Sequence, residues 1–423
     1  MYVESVSMTD FRCFEKAETT FVYPGVAGLP EGALPNVTLL IGINGAGKTS
    51  LLKGVALACL SPIISQAGYY PSLLIRKTKT KDEQPKVAEI RCNAKDARLL
   101  YKKMFVRDGH PSMSLIISKI SGQDYFSEFT WLGYNFVTWN RIGNPETGEI
   151  IEHSNSQEEN GLCTFHSEVS PNYFLLGYGA SRRSEYLENL DAQRSRRRHP
   201  RFQRVAGLFE EFITLYPLAA WYPLLKSKSR TKEVRDLLNS LLPGRMQFTG
   251  ECEGGEGLFN NDGVTLPFGA LSDGFRSYIG LLADMLYNMH TVSPKGKLAD
   301  LAGVVMIDDI DIHLHPGWQR EIVPKLAETF PKLQFIITTH SPLVVGTVHA
   351  ANIRVVEENR ILQYTEQTDG RSADQILMSS YFGLESPRSP DKQKRLKKTA
   401  KRVADTHDPA AAVEFLKELT GQT

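Results

Sequence analysis

Short runs of apolar residues recur along the chain, and each is followed at once by glycine or polar sequence. Four of them stand at 37–41, 173–178, 303–307 and 333–337. Their length and their content of branched and aromatic residues predict buried strands rather than helices. The chain is therefore predicted to have an α/β fold in which polar residues at the carboxyl ends of strands carry the chemistry.

Other patterns lie between these runs. Polar turns such as NPETGE separate short β patterns over 86–178, which predicts a β-rich insertion. Hydrophobic residues recur at three and four positions over 202–225 and 231–242, which predicts a helical arm. The segment 246–268 has the pattern of a hairpin with a glycine turn. No heptad pattern is sustained, so a long coiled coil is not expected.

Composition narrows the class of protein only a little. The chain has 423 residues, 41% hydrophobic content and a formal net charge of +1, so any binding of a polyanion would depend on local clusters. No apolar run approaches the ~18 residues that span a bilayer, and the first residues lack the pattern of a signal peptide. We therefore expect a cytoplasmic protein with no membrane partner. The five cysteines lack C-x-x-C spacing, which argues against disulfide and zinc sites.

The strongest local signal is a phosphate-binding loop, or P-loop. Residues 42–49 match G-x-x-x-x-G-K-[ST] at every fixed position, between an apolar strand and a helical pattern. Glycines let N–H groups surround phosphate oxygens, Lys48 reaches the β and γ phosphates, and the Thr49 hydroxyl ligates Mg²⁺. The alternative is a glycine-rich turn before a helix. The predicted ATP-binding residues are Gly42, Asn44, Gly45, Ala46, Gly47, Lys48, Thr49 and Ser50.

Three later stretches supply further candidates. The run VVMIDD ends in Asp308, predicted to hold Mg²⁺ through water or Thr49, and in Asp309, predicted to lie beside the attacking water. LQFIITTH puts His340 at the carboxyl end of a strand, where α/β sheets bind ligands. LSDGFRS puts Ser272 and Gly274 at the N-terminus of an amphipathic helix, which suits phosphate. The predicted catalytic residues are Lys48, Asp309 and His340.

The order of these motifs resembles that of ATP-binding-cassette (ABC) ATPases of the SMC and RecF branch, over residues 1–357. The phrases IDDIDIHLHPGWQ and FLLGYGASRR are most similar to stand-alone ATPases of prokaryotic defence operons, of the Septu and retron-associated types. The resemblance implies an ABC-ATPase head in four parts. These are a β lobe with the P-loop helix (1–64), a lid insertion with a helical arm (65–270), the signature, Walker B and switch-histidine half (271–357) and a helical C-terminal extension (358–423).

The resemblance also implies that two copies enclose two ATP molecules. Ser272 and Gly274 of one copy would then contact the γ-phosphate bound by the other, so a homodimer or a higher homo-oligomer is expected. His340 matches the switch histidine that binds the γ-phosphate, and residues 312–315 match the D-loop that connects the two sites. Arg12 stands where the branch has a basic residue near the nucleotide. No residue can be assigned as the Q-loop glutamine.

One residue departs from the pattern of the branch, which has glutamate after the Walker B aspartate where this chain has Asp309. Aspartate is shorter by one methylene, so its carboxylate should fall about 1 Å short of the water, and such a misplacement can cost about a hundredfold in rate. We therefore expect slow hydrolysis. The alternative is a small backbone shift that lets aspartate serve equally well.

Two basic clusters and the C-terminal extension bear on partners. Residues 182–204 contain eight arginines and three acidic residues, and could bind nucleic acid, contact an acidic partner or form a solvated loop. The second cluster is 392–402. The extension 358–423 is short for a Toprim nuclease and has no HNH pattern, so we expect no nuclease activity in the chain itself. His313 and His315 could suggest a metal site, but their position in the D-loop argues against one.

Three functions are compared on this basis. The first is an ATPase that dimerises around ATP and regulates an HNH-type or other effector nuclease in anti-phage defence. The second is a RecF-like DNA-repair ATPase that binds DNA through residues 182–204 without a nuclease partner. The third, the cassette of a membrane transporter, fits less well because such units are shorter and lack the opening hairpin. We expect the first, with ATP and Mg²⁺ as cofactors.

Overall fold

The computed structural model describes the chain in two compact units, Met1–Gly370 and Arg371–Thr423. The residues described are 1–60, 71–78, 85, 87–95, 112–120, 123–132, 135–143, 150–155, 174–184, 200–211, 213–406, 410, 412–413 and 415–416. No helix within these ranges combines the length and the hydropathy that a bilayer span requires.

A six-stranded sheet forms the centre of the first unit. Its strands, numbered in chain order, are Val37–Ile41 (β3), Phe174–Tyr178 (β9), Gly303–Ile307 (β15), Leu333–Thr338 (β16), Ile353–Glu357 (β17) and Arg360–Leu362 (β18). Their order is β18-β17-β3-β16-β15-β9, and all neighbours are parallel except β17 and β18. Every residue of β3, β9, β15 and β16 is buried, as expected for parallel strands covered on both faces. The predicted α/β fold is confirmed.

A second, antiparallel sheet has seven strands in the order β2-β1-β4-β5-β6-β7-β8. They are Tyr2–Phe11 (β1), Phe14–Thr20 (β2), Val87–Lys95 (β4), Ser112–Ile120 (β5), Gln123–Leu132 (β6), Asn135–Gly143 (β7) and Ile150–Asn155 (β8). The segment predicted to be a β-rich insertion thus continues the sheet of the N-terminal hairpin. The buried amide of Gln334 in β16 joins the two sheets, because it accepts from Val3 N at 2.8 Å and donates to Val3 O at 2.7 Å.

Helices and smaller strands complete the two units. The remaining strands are Arg183–Ser184 (β10), Thr214–Leu215 (β11), Gln247–Glu253 (β12), Glu256–Asn261 (β13) and Val264–Pro267 (β14). The helices of the first unit are Lys48–Cys59 (α1), Pro200–Gln203 (α2), Leu218–Trp221 (α3), Lys228–Leu241 (α4), Asp273–Val292 (α5), Pro316–Gln319 (α6), Ile322–Thr329 (α7) and Pro342–Val345 (α8). The second unit contains Ala373–Leu377 (α9) and Pro390–Thr406 (α10).

The helical arm predicted over 202–225 is wrong. The described residues of this segment, 202–211 and 213–225, contain short helical turns on both sides of strand β11, which pairs in parallel with β10. Pro217 and Pro223 lack the amide hydrogen that a continuous helix needs. The chain also passes very close to β9, since a Cβ built on Gly179 would lie 2.0 Å from the carbonyl oxygen of Gly207. The pattern over 231–242 does form helix α4.

The structure describes the first basic cluster only at its two ends and the second cluster throughout. Of the first cluster, residues 185–199 lie outside the described residues, so the interpretations of 182–204 as a binding surface are not addressed by the structure. The second cluster forms most of helix α10, and its basic side chains are exposed. Most of the C-terminal extension after residue 406 also lies outside the described residues.

Candidate nucleotide-binding site

Four polar segments meet at one edge of the central sheet. The strands β3, β16, β15 and β9 are parallel neighbours, so the segments that follow them emerge side by side. These segments are the P-loop, the Thr338–His340 turn, the aspartate pair 308–309 and the loop that contains Arg182. The sheet therefore gathers in space the motifs that the sequence separates.

The P-loop adopts a backbone that glycine alone tolerates well at two positions. Gly42 has φ +150° and Gly47 has φ +114°, and both pack tightly. A Cβ on Gly42 would lie 2.2 Å from Val356 O, and one on Gly47 would lie 2.5 Å from Cys13 Sγ. Side chains at these positions would collide with backbone and with the hairpin tip. The loop is consequently lined by backbone, as phosphate binding by N–H groups requires.

Lys48 begins helix α1 and lies inside the loop. Its ammonium Nζ donates to the carbonyl oxygens of Gly42 at 2.9 Å and Ile43 at 3.2 Å, and the side chain is only 6% exposed. Burial lowers the pKa of Lys48, and the nearby carboxylates of Asp309 and Asp308 oppose that effect. The cation is thus held in the loop by weak neutral acceptors, which a phosphate oxygen could replace.

Thr49 and Asp308 form the candidate metal site. Thr49 Oγ1 donates to Asp308 Oδ2 at 2.7 Å, and Thr338 Oγ1 donates to the other oxygen, Oδ1, at 2.7 Å. Asp308 is 3% exposed, and the two hydroxyl groups hold its buried carboxylate in place. Hydroxyl and carboxylate oxygens are the donors that Mg²⁺ prefers. The donor set at Thr49 and Asp308 therefore fits this ion.

Asp309 is held in an unusual backbone conformation beside His340. Its φ is +45°, and its amide donates to Thr338 Oγ1 at 2.7 Å. Its Oδ1 lies 3.8 Å from Nε2 of His340. Burial and the adjacent Asp308 raise the pKa of Asp309, while His340 and Lys48 lower it. The three predicted catalytic side chains thus belong to one electrostatic cluster.

The sequence reasoning missed two residues of this cluster. Asp311 accepts hydrogen bonds from Thr339 Oγ1 and, at 3.3 Å, from the amide of His340, so it fixes the turn that presents the histidine. Arg182 donates from Nη2 to the carbonyl oxygens of Asp308 and Asp309. The sequence does show Asp311 as the third acid in IDDIDIH and Arg182 in the arginine pair after FLLGY. Their hydrogen-bond partners depend on the order of the strands, which the sequence does not show.

The N-terminal hairpin brings its tip to the P-loop. Cys13 Sγ lies 3.8 Å from the carbonyl oxygen of Ala46. Arg12, the other residue of the tip, has φ +55° and an exposed side chain, and its amide donates to Leu74 O at 2.8 Å. The charge of Arg12 adds to burial in lowering the pKa of Lys53 on α1. Arg12 is therefore near the loop, with its guanidinium directed to solvent.

The signature residues lie at the exposed N-terminus of helix α5. Ser272 is the N-cap, yet its side chain is exposed and makes no capping hydrogen bond. A Cβ on Gly274 would lie 2.4 Å from the carbonyl oxygen of His313, whose φ is +64°. The signature therefore packs directly on the D-loop of the same chain. An added side chain at Gly274 would push the two apart.

The histidines of the D-loop show no metal site. His315 Nδ1 accepts from the amide of Gly317 at 3.2 Å and so caps helix α6. Across the described ranges, no group of three or more histidine, cysteine, aspartate or glutamate side chains is arranged to hold a metal ion.

Comparison with known proteins adds a family match. Residues 139–346 match the family described as "AAA domain, putative AbiEii toxin, Type IV TA system". The chain is 26% identical over 397 residues to Septu protein PtuA of Bacillus mycoides, covering 90% of this chain and 45% of PtuA. It is 31% identical over 155 residues to the Retron Ec83 probable ATPase of Escherichia coli, covering 36% of this chain and 29% of that protein.

These matches confirm the resemblance to the Septu and retron-associated proteins of defence operons. A Vibrio cholerae protein, the Retron Vc95 probable ATPase, is 39% identical over 112 residues, covering 25% of this chain and 22% of that protein. The chain therefore spans less than half the length of these curated relatives. Among solved structures, an SMC head bound to the C-winged helix domain of ScpA matches with TM-score 0.46 and 14% identity, covering 86% of this chain and 98% of that chain. The SMC head of Thermotoga maritima matches with TM-score 0.40 and 13% identity, covering 86% of this chain and 99% of that chain.

Proposed function

We propose that the chain binds ATP with Mg²⁺ between two copies of itself, hydrolyses it slowly, and thereby regulates an effector nuclease in anti-phage defence. The observation that carries the proposal is the 2.7 Å hydrogen bond between Thr49 and Asp308 beside a backbone-lined P-loop. A nucleotide triphosphate and a hard cation are the ligands that this combination suits best.

Each side chain has a defined part in this reaction. Lys48 would exchange the carbonyls of Gly42 and Ile43 for phosphate oxygens, and Thr49 and Asp308 would hold the cation. Mg²⁺, when bound, neutralises charge on the β and γ phosphates. Asp309 would orient the attacking water and accept its proton, and His340 would donate a hydrogen bond to the γ-phosphate.

Slow turnover follows from the length of the Asp309 side chain. Asp309 is one methylene shorter than the glutamate common in this branch, and its backbone is fixed through Thr338. A fixed backbone cannot shift freely to make up about 1 Å of reach, so a rate loss of about a hundredfold is expected. ATP occupancy would then be a long-lived state and hydrolysis a timer.

Dimerisation around ATP is supported by the exposed signature. Ser272 is an N-cap whose hydroxyl makes no capping bond, so it is available to a phosphate of a second copy. The test is the mass of Asp309→Asn in solution with and without ATP and Mg²⁺. We expect dimers or larger assemblies only with nucleotide, and monomers throughout when Ser272→Glu is added. Ser240→Glu is the matched control, because Ser240 is also exposed and lies on α4.

Mixing variants tests whether the two halves of a site come from different copies. Lys48→Ala and Ser272→Glu should each be inactive alone. A mixed dimer would contain one site with an intact P-loop and an intact signature, so activity should return on mixing. Nucleotide-independent monomers together with full activity of Ser272→Glu would overturn the dimer proposal.

Regulation of an effector nuclease is supported by likeness to the Septu and retron proteins. The test is co-expression with the neighbouring open reading frame, followed by copurification and plaque counts after phage infection. We expect protection from phage with the parent and loss of protection with Lys48→Ala. Stimulation of hydrolysis by DNA alone, with no copurifying protein, would instead favour the DNA-repair alternative.

A further inference from the structure

Arg182 connects the end of strand β9 to the aspartate pair that follows β15. Its Nη2 donates to the carbonyl oxygen of Asp308 at 3.1 Å and also to that of Asp309. One guanidinium nitrogen therefore contacts the two carbonyl groups that lie on either side of the α-carbon of Asp309. The contact is with main chain, so it can fix the backbone independently of the protonation of the carboxyl groups.

The backbone of Asp309 is held from both ends. Its amide donates to Thr338 Oγ1 at 2.7 Å, and its carbonyl accepts from Arg182. Between these two anchors the residue has φ +45°, a left-handed conformation that costs about 1 kcal/mol or more for a residue with a side chain. The direction of the Asp309 carboxylate follows from that conformation. Loss of the Arg182 contact would let the residue relax toward ordinary φ values.

Arg182 itself stands on a rigid base. Tyr178 at the end of β9 donates from its hydroxyl to Asp284 of helix α5 at 2.7 Å. The amide of Tyr216, directly after β11, donates to the other oxygen of Asp284 at 2.8 Å. Arg183, the next residue after Arg182, pairs with β11. The loop is thus tied to the signature helix on both sides.

Arg182 is half-buried, and the burial of part of its guanidinium is costly for the fold. Burial lowers the pKa of Arg182 to about 10, with nearby aspartates opposing the shift, so the guanidinium stays charged at neutral pH. Its Nε is buried and has no hydrogen-bond partner among the described residues. A buried donor without a partner costs about 1–3 kcal/mol. Stability alone would therefore favour a different residue at this position, whereas a site that needs an anchored Asp309 favours arginine.

We propose that Arg182 is a positioning residue for hydrolysis, which holds the main chain of Asp309 so that its carboxylate faces the attacking water. The proposal rests on the proposed ATPase function. It adds that the anchor of the catalytic aspartate is carried by the loop fixed to the signature helix through Asp284. Movement of that helix when two copies meet would thus reach Asp309 through Arg182.

The kinetic test compares Arg182→Ala with a matched control variant. Arg354→Ala is suitable, because Arg354 is buried and its pKa is likewise lowered to about 10. Arg354 binds the main-chain carbonyls of Thr20, Ala351 and Ile353, away from the aspartates. In Arg182→Ala we expect kcat to fall by about a hundredfold with the affinity for ATP within about threefold of the parent. Millimolar guanidinium should restore part of kcat in Arg182→Ala and none in Arg354→Ala. A kcat near that of the parent, or equal losses in kcat and affinity, would overturn the proposal.

A second measurement separates this proposal from the ATPase proposal. Amide hydrogen exchange of the nucleotide-free protein over 304–316 should be faster in Arg182→Ala than in the parent and in Arg354→Ala. Unchanged exchange there would overturn the anchoring role even if the protein hydrolyses ATP. Faster exchange in a protein that shows no hydrolysis would support the anchor and count against the ATPase function.

Discussion

Oγ1 of Thr49 donates a 2.7 Å hydrogen bond to Oδ2 of Asp308 across 259 positions of sequence. One residue belongs to the helix after β3 and the other follows β15, with β16 between these two strands. Thr338 at the end of β16 donates to the other oxygen of the same carboxylate. Three consecutive strands of the sheet therefore contribute to one oxygen-rich site.

Lys48→Ala should weaken ATP binding more than any other single change in the P-loop helix. The ammonium is the one cationic group that donates to the loop carbonyls of Gly42 and Ile43 among the contacts described. Hydrogen bonds to charged groups contribute about 1.5–3 kcal/mol, so the dissociation constant should rise by about 10- to 100-fold. Titration calorimetry with ATP and Mg²⁺ measures it.

Lys53→Ala is the control for that change. Lys53 lies on the same helix, and its ammonium is 5.8 Å from the centroid of the Phe209 ring rather than in the loop. Lys53→Ala should bind ATP within about threefold of the parent, because a charge that lies outside the loop contributes little to binding. Equal affinity of the parent and Lys48→Ala would contradict the assignment of the P-loop.

Asp309→Glu should accelerate hydrolysis in single-turnover experiments. The added methylene extends the carboxylate by about 1 Å, and a correction of that size can be worth up to about a hundredfold in rate. Asp309→Asn, which keeps the shape but cannot accept a proton, should bind ATP and not hydrolyse it. If Asp309→Glu shows no gain over the parent, aspartate already reaches the water, and the timer interpretation is wrong.

Part of the site could be predicted from local sequence patterns, and the rest depends on the order of the strands in the sheet. The P-loop, Asp308, Asp309 and His340 could each be assigned because each follows an apolar run, and parallel strands bring such ends together. The contact of Arg182 with the backbone of the aspartates could not be predicted, because this contact requires β9 to be the neighbour of β15. Strand order is a long-range property that no local pattern encodes.

The fold, too, could be predicted only in part from local sequence patterns. The buried parallel strands were recognisable from short apolar runs, whereas the pairing of β4 with β1 joins segments of different predicted parts. The helical pattern over 202–225 failed because hydrophobic spacing took no account of Pro217 and Pro223, or of the approach of Gly207 to Gly179. Hydrophobic spacing indicates which residues are buried. The local conformation is determined by prolines and by close backbone contacts.

Gly47→Ala should destabilise the fold more than Gly45→Ala. Both glycines have positive φ, +114° and +81°, so both changes add backbone strain. A Cβ on Gly47 would also lie 2.5 Å from Cys13 Sγ and 2.7 Å from Phe14 Cζ, while one on Gly45 has open space. Overpacking of this kind costs about 1–3 kcal/mol. Urea denaturation of both variants measures the difference, and equal free energies of unfolding would show that the hairpin tip yields without cost.

Tyr178→Phe should destabilise the protein, and more so as the pH rises. The hydroxyl of Tyr178 donates to Asp284 at 2.7 Å, and burial raises the pKa of this carboxyl while the hydroxyl opposes that rise. Because the folded-state pKa is raised, stability falls as the pH rises from the pKa of the unfolded chain to that of the folded state. Without Tyr178 the buried carboxylate lacks one donor, so that loss becomes larger.

The expected size of this effect follows from the charge of the acceptor. A hydrogen bond to the protonated carboxyl contributes about 1 kcal/mol and one to the carboxylate about 1.5–3 kcal/mol, so the difference between parent and variant should increase on passing upward through the folded-state pKa. Urea denaturation at pH 5 and pH 8 checks it. Tyr364→Phe is the control, because its hydroxyl donates to the exposed Glu357 and its removal should cost little at either pH. A difference for Tyr178→Phe that is the same at both pH values would mean that Asp284 keeps one protonation state across this range.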